Sequence, residues 1–288
     1  MKFTPSTSIL FAAFSILTIT TSAQTPTGKL ALAKGQKLLI DNDIKTVSIQ
    51  EIMGQSMEIT YDAKMLYEVE VKDKKTNSYL ISTTLTRVVS SGNSMGQEIK
   101  FDSDKKEDLE SETGKAYKDD LNVTIDAEFN EKAELINAPN KDTTTSTGNQ
   151  VMNMMKKFSG AGGAELNGAS AAFIVIPSGK KVGDTWSDSL ITDAVKTYTN
   201  YTFKALEGKN ATIIGSGKQF TQMKLEQQGM EINISMDGTL STEGLIDIST
   251  GLIKQKTTTL NGVSTTEVMG QTIPGTTKVN IVTTVKTI

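Results

Sequence analysis

Residues 57–72 read Met-Glu-Ile-Thr-Tyr-Asp-Ala-Lys-Met-Leu-Tyr-Glu-Val-Glu-Val-Lys, and their alternation decides the fold class. Met57, Ile59, Tyr61, Ala63, Met65, Tyr67, Val69 and Val71 hold the odd positions, and polar or charged residues hold the even ones, Leu66 excepted. A period of two marks a β-strand with one buried face, because successive side chains of extended backbone point to opposite sides. At ~3.3 Å per residue the strand runs to roughly 50 Å, well beyond ordinary strand length. So long a strand has to coil or bend. The expectation is a mostly β, antiparallel protein with a strongly curved sheet or partial barrel.

Outward from this stretch, Lys34-Gly35-Gln36 reads as a turn into a short strand, Lys37 to Ile40, with Asp41-Asn42-Asp43 as a break. Val47 and Ile49 then alternate with Ser48 and Gln50 before Met53-Gly54-Gln55 turns the chain. On the other side, Asp73 to Asn77 is a turn and Ser78 to Val89 a Thr- and β-branched-rich strand. A second Met-Gly-Gln, 95–97, precedes Glu98 to Phe101. Asp102 to Asp120 is charge-dense and reads as a solvated loop with at most a short helical turn, followed by a hairpin around Glu128 to Lys132.

Residues 147–170 read as a helical and Gly-rich connector. Val151, Met154, Met155 and Phe158 share one face of a helix over Asn149 to Phe158, and Ser159-Gly160 stops it. The connector divides the chain into an N-terminal β-half, 24–146, and a C-terminal β-half, 171–288, that repeats its order of strands and turns. In the second half Pro177, Gly179 and Gly183 shape a turn that delivers Trp186, the single tryptophan, as an apolar anchor. Met230, Ile232, Ile234 and Met236 form another strand of period two, and Val279, Ile281, Thr283 and Val285 close the chain. The kept order with drifting lengths fits an internal duplication.

The Lys-Gly-Gln entry, the recurring Met-Gly-Gln, Lys181-Val182-Gly183-Asp184-Thr185-Trp186 and Asp247-Ile248-Ser249-Thr250-Gly251-Leu252-Ile253 together resemble an uncharacterised family of exported bacterial β-rich proteins, a domain of unknown function. These motifs are turns. The resemblance therefore implies fold and export, and no activity.

Composition bounds the function. A basic start at Lys2, an apolar run from Ile9 to Ile19 and the small residues before Gln24 form the pattern of a cleaved signal, residues 1–23. The run is too short to span a bilayer, so the mature chain carries no transmembrane span and is expected in the periplasm or outside the cell. There is no Cys, hence no disulfide framework and no acylation site, and no His, the commonest general base and transition-metal ligand. The balance of 30 Lys and Arg against 33 Asp and Glu, with Arg87 the single arginine, argues against nucleic acid as a partner.

Local clusters favour bland readings. Met152, Met154 and Met155 at helical spacing suit packing better than a Cu(I) site, and Asp102-Ser103-Asp104 lacks the Gly and terminal Glu of a Ca²⁺ loop. No pair of carboxylates is marked out, so no catalytic, metal or cofactor residue is nominated, and a carboxylate-dependent hydrolase ranks third among functions. First stands a non-catalytic envelope protein with a binding or structural role, its partner another envelope protein or an apolar molecule. Second stands a carrier of a lipid or other apolar ligand on a concave sheet. The candidate ligand-facing residues are Met57, Ile59, Tyr61, Met65, Tyr67, Met230, Ile232, Ile234 and Met236.

Overall fold

A computed structural model describes residues 25–52, 54–94, 97–118, 120–137, 168–191, 194–227 and 230–288. The alternating stretch is strand β2, Gln55–Lys74, with Tyr61, Ala63, Met65, Tyr67, Val69 and Val71 buried on one side. Its twenty residues confirm the length expected from the sequence. β1, Lys37–Ile52, and β3, Ser78–Ser94, flank it, and β4, Gln97–Asp102, pairs with the far part of β3. Two short helices follow, α1 (Lys106–Leu109) and α2 (Glu112–Tyr117), then β5 (Thr124–Asn130) and β6 (Leu135–Asn137).

After a 3-10 turn at Ala169–Ala172 come β7 (Thr185–Ile191), β8 (Val195–Glu207) and β9 (Asn210–Gln227). The chain ends with β10 (Met230–Asp247), β11 (Leu252–Val268) and β12 (Gln271–Thr287). All twelve strands among the described residues lie in one antiparallel sheet of order β6-β5-β3-β2-β1-β12-β11-β10-β9-β8-β7, with β4 beside β3 off this path. It is a meander whose first and last strands pair in the middle, and β6 and β7 are its edges.

Asp41-Asn42-Asp43 does not break β1. The three residues continue the strand, pairing with Leu66, Met65 and Lys64 of β2, so that Asn42 points inward between two acids that face water. The parity of β1 also differs from the apolar-in reading: Ser48 faces inward and bonds Thr277 (3.1 Å), whereas Val47 and Ile49 lie on the outer side, 38 % and 37 % exposed. Pairing register outweighs local apolarity here, because a one-residue slip would turn Leu38, Ile40 and Ile44 out of the core. The charged segment after β4 is likewise more than a loop. Ser111 caps α2 by accepting from the Gly114 N–H (3.0 Å), and Ala116 and Tyr117 are buried. Tyr117 stacks on Phe101 (5.4 Å) and its hydroxyl bonds that of Tyr61 (2.7 Å).

The sheet curls. The Leu30 N–H donates to the Glu131 carbonyl (2.6 Å), and the adjacent Ala31 N–H donates to that of Thr250 (3.1 Å). Glu131 lies in the β5–β6 turn and Thr250 in the β10–β11 turn. Five strand spacings separate β5 from β11, about 24 Å on a flat sheet, yet adjacent residues reach across. Phe173 makes the same crossing: it pairs with Leu252 and sets its ring 5.9 Å from that of Phe129 on β5. Residues 30–32 and 169–176 therefore plug this end, with Leu30, Leu32, Ala172, Phe173 and Ile176 in the core cluster.

The sequence supplies the bend. Among the described residues all seven strand glycines, 92, 215, 217, 238, 244, 262 and 275, fall at inward positions. Larger side chains lie over several of them: a Cβ at Gly262 would meet Met236 Sδ at 2.7 Å, and one at Gly215 would meet the Tyr201 ring at 2.8 Å. A missing side chain on the concave side lets the sheet close on itself and seats the neighbour.

Candidate functional site: the concave face

Register sorts the inner side chains into rows across the sheet, and two rows matter. Nearest the plug, Tyr67, Ile40 and Val285 continue the apolar core. The next row reads Met65, Asn42, Thr283, Lys256, Gly244, Ile213 from β2 through β1, β12, β11 and β10 to β9. From Leu38 to Gln50 on β1, and over the facing stretches of β2, β9, β10, β11 and β12, Lys256 is the sole charged residue that register turns inward. Its cross-strand partner is Gly244, over which Ile213 of β9 leans: a Cβ there would meet Ile213 Cγ1 at 3.4 Å.

Lys256 is partly buried and has no ion pair among the described residues. Burial alone pushes its ammonium down to about 8 from the ordinary 10.5. Thr283 beside it is 2 % exposed. Across Thr283, Asn42 is 8 % exposed and its Oδ1 is buried without a hydrogen-bond partner; so is Thr46 Oγ1, two rows further along β1 at the position after Ile44. One row beyond Lys256, Thr242 and Thr258 bond each other (3.1 Å). A polar band with two unpartnered oxygens thus crosses the inner layer between the apolar core near the plug and a mixed stretch that includes Ser48, Ser264 and Thr277.

The nine sequence-nominated residues fall on two strands of this face. Tyr61, Met65 and Tyr67 on β2 are buried, Met65 and Tyr67 near the plug and Tyr61 two rows further along; the Tyr67 hydroxyl donates to Met65 Sδ (3.4 Å) and burial raises Tyr61 and Tyr67 above the ordinary tyrosine range. Met57 and Ile59 are half-buried at the other end of β2. On β10, Ile234 and Met236 are buried and Ile232 half-buried; the Met230 side chain lies outside the described residues. Three strands separate β2 from β10, so the nominees share a face without forming one cluster.

Sequence reading missed Asn42, Thr46 and Lys256. The bulge that skips Lys254 between Ile253 and Gln255 flips the parity of β11, and without it Lys256 reads as a solvated residue. Trp186 belongs to edge strand β7, half-buried and stacked on Tyr201 (5.3 Å). Asp102 and Asp104 pair with Arg87 (3.4 and 2.9 Å), and among the described residues no group of three or more acids is placed to hold a metal ion. The expected helix over Asn149 to Phe158 lies outside the described residues. A shallow recess between the plug and β10, lined by Thr27, Lys29, Ile174, Ile246 and Ile248 among others, has room for about one water.

The fold and face define an antiparallel β protein whose single open sheet curls around an apolar interior. The chain belongs to a family of unknown function (DUF6263), whose model matches residues 76–253. No curated protein matches it. Among solved structures, a lipovitellin described for its lipid–protein interactions is 10 % identical with a TM-score of 0.48; the match covers 89 % of this chain and 26 % of the other, so this chain spans about a quarter of that one. An outer-membrane channel from Pseudomonas putida is 8 % identical with a TM-score of 0.26, covering 91 % of this chain and 99 % of the channel. The translocator domain of an autotransporter from Neisseria meningitidis is 7 % identical with a TM-score of 0.22, covering 88 % and 89 %.

Proposed function

We propose that the protein is an exported, non-catalytic binding protein that holds an amphipathic, largely apolar ligand against the concave face of its sheet. The observation that carries this reading is that two of the four buried, unpartnered side-chain oxygens among the described residues, Asn42 Oδ1 and Thr46 Oγ1, lie on the concave face. Each unsatisfied buried group costs about 1–3 kcal/mol, and a polar ligand head group in these rows would relieve it, because the Thr46 hydroxyl and the Asn42 amide can each donate as well as accept. Met57, Ile59, Ile232, Ile234 and Met236 on the same face offer adaptable apolar contacts to its chain. The outer face is charged, with ion pairs such as Lys64–Asp41 (3.1 Å) and Lys204–Glu243 (3.7 Å). A lipid-facing barrel wall carries the opposite polarity. The signal pattern of residues 1–23 supports export to the periplasm or beyond.

A purely structural role rests on one contrary observation, the sealed packing of Tyr79, Phe101, Tyr117 and Phe129 near the plug. The full chain, exported from a Gram-negative host and taken to native mass spectrometry and solvent extraction, separates the two. Binding predicts a co-purified amphiphile, or displacement of an apolar dye by added lipid. Protein of bare polypeptide mass that binds no dye would leave the structural role. The same preparation should begin at or near Gln24; secreted protein that retains Met1 would end the export proposal.

A further inference from the structure

We infer that Lys256 anchors the head group of a long-chain carboxylate whose hydrocarbon tail lies along the concave face toward the β11–β12 turn. The inference rests on the binding role proposed above and names its ligand class. An ammonium inside an apolar layer without a partner is costly, and proteins ordinarily pair it or place it outside. Lys256 is held inward by register on three strands, with Thr283 on one side, Gly244 on the other, and no acid in its row. Among the described residues the nearest inward carboxylate by register is Asp188, on edge strand β7 four strands away. That spacing is about 19 Å along the sheet. The missing countercharge is supplied from outside the chain.

A carboxylate fits better than a phosphate. One lysine balances one charge, and the sole guanidinium, Arg87, is occupied on the exposed side by Asp102 and Asp104. A dianionic head would carry an unbalanced charge into the layer. Thr283 Oγ1 stands next to the anchor to donate a second hydrogen bond. The tail has a mixed path. From Lys256 to Val268 the inner side of β11 and its neighbours offers Leu260, Val279, Met236 and Ile234, with Gly238, Gly262 and Gly275 between them and the hydroxyls of Thr258, Ser264 and Thr277 at intervals. That stretch is roughly 40 Å long, more than an extended sixteen-carbon chain needs.

The test compares palmitate, hexadecanol and hexadecyl phosphate on the delipidated full chain and on Lys256→Met, by calorimetry. The wild type should bind palmitate more tightly than hexadecanol. The variant should lose at least about tenfold in palmitate affinity, the value of one charge-assisted hydrogen bond, while hexadecanol binding is retained. Retained hexadecanol binding also shows that the variant is folded around an intact face. Equal palmitate affinity in both proteins would overturn the inference and leave the binding role standing. Wild type that binds none of the three probes would overturn both. Tighter binding of hexadecyl phosphate than of palmitate would overturn the carboxylate assignment.

Discussion

Lys256→Met should make the unliganded protein more stable. In the folded state the ammonium titrates near 8 because it is desolvated without a partner; in the unfolded chain it titrates near 10.5. Each pH unit between those values corresponds to about 1.4 kcal/mol, so the desolvated charge costs the native state at most about 3 kcal/mol at neutral pH, less what solvent screens at the partly exposed side chain. Between pH 8 and 10.5 the unfolded chain keeps this proton while the folded one has lost it. The unfolded state then binds more protons, and stability rises with pH across that window. The buried tyrosines act in the opposite sense higher up. Burial pushes Tyr201 up to about 12 and raises Tyr61, Tyr67 and Tyr117 as well, so above pH 10 the unfolded chain releases phenolic protons that the folded chain retains. Urea titrations followed by circular dichroism at half-unit steps from pH 7 to 11 should show wild-type stability climbing from pH 8 to a maximum near 10. Lys256→Met should start higher at pH 7 and show no climb. A wild-type profile flat from pH 8 to 10, or a variant less stable at pH 7, would refute the placement of an unpaired ammonium in the layer.

Parity on β2 is testable by charge. Val69→Asp, at a position 1 % exposed, should cost at least about 3 kcal/mol or prevent folding, whereas Glu68→Lys should stay within about 0.5 kcal/mol; equal midpoints in urea would mean the face is misassigned. Gly262→Val pushes a branched side chain against Met236 and should cost about 1–3 kcal/mol, much of it recovered in the double variant with Met236→Ala; no recovery would dissociate the glycine from the side chain above it. Tyr117→Phe removes the hydroxyl bonded to Tyr61 and should lower stability by about 1 kcal/mol, with thermal denaturation as the readout; an unchanged midpoint would mean that solvent reaches the pair.

The long strand was legible because Met57 to Val71 alternate over many residues, and one buried face suffices to fix that pattern. Turns were legible where glycine is required: Gly35, Gly54, Gly179 and Gly183 all have positive φ, as their settings in the sequence suggest. A third Met-Gly-Gln, 269–271, forms the β11–β12 turn with Met269 79 % exposed. What sequence did not yield is the set of facts decided by partners. Asn42 looks like a turn residue until Met65 and Thr283 pair on either side of it. Lys256 looks solvated until a bulge reverses its strand. The α2 segment looks like a loop because its four buried residues, Thr113, Gly114, Ala116 and Tyr117, sit among charges that face water. The candidate site lies where these non-local effects meet, so the apolar half of it was readable and the polar half was not.

The central pairing of β1 with β12 has a consequence for assembly. Ser48 and Thr277, which bond across that seam, are 229 residues apart in the sequence. Every other neighbouring pair along the sheet order is joined by a hairpin, except β3 and β5, which β4 and the two helices separate, so each flank forms from contacts far closer in sequence, while the seam waits for the last strand to be made. Pairing so distant in sequence is slow, because loop closure precedes the contacts that reward it. Until then Leu38, Ile40 and Ile44 form an unprotected apolar edge. A chain delivered N-terminus first would present this edge for the whole of its delivery, in the state that holdase chaperones recognise, and loss of residues 271–287 would leave two unjoined flanks in place of one weakened sheet.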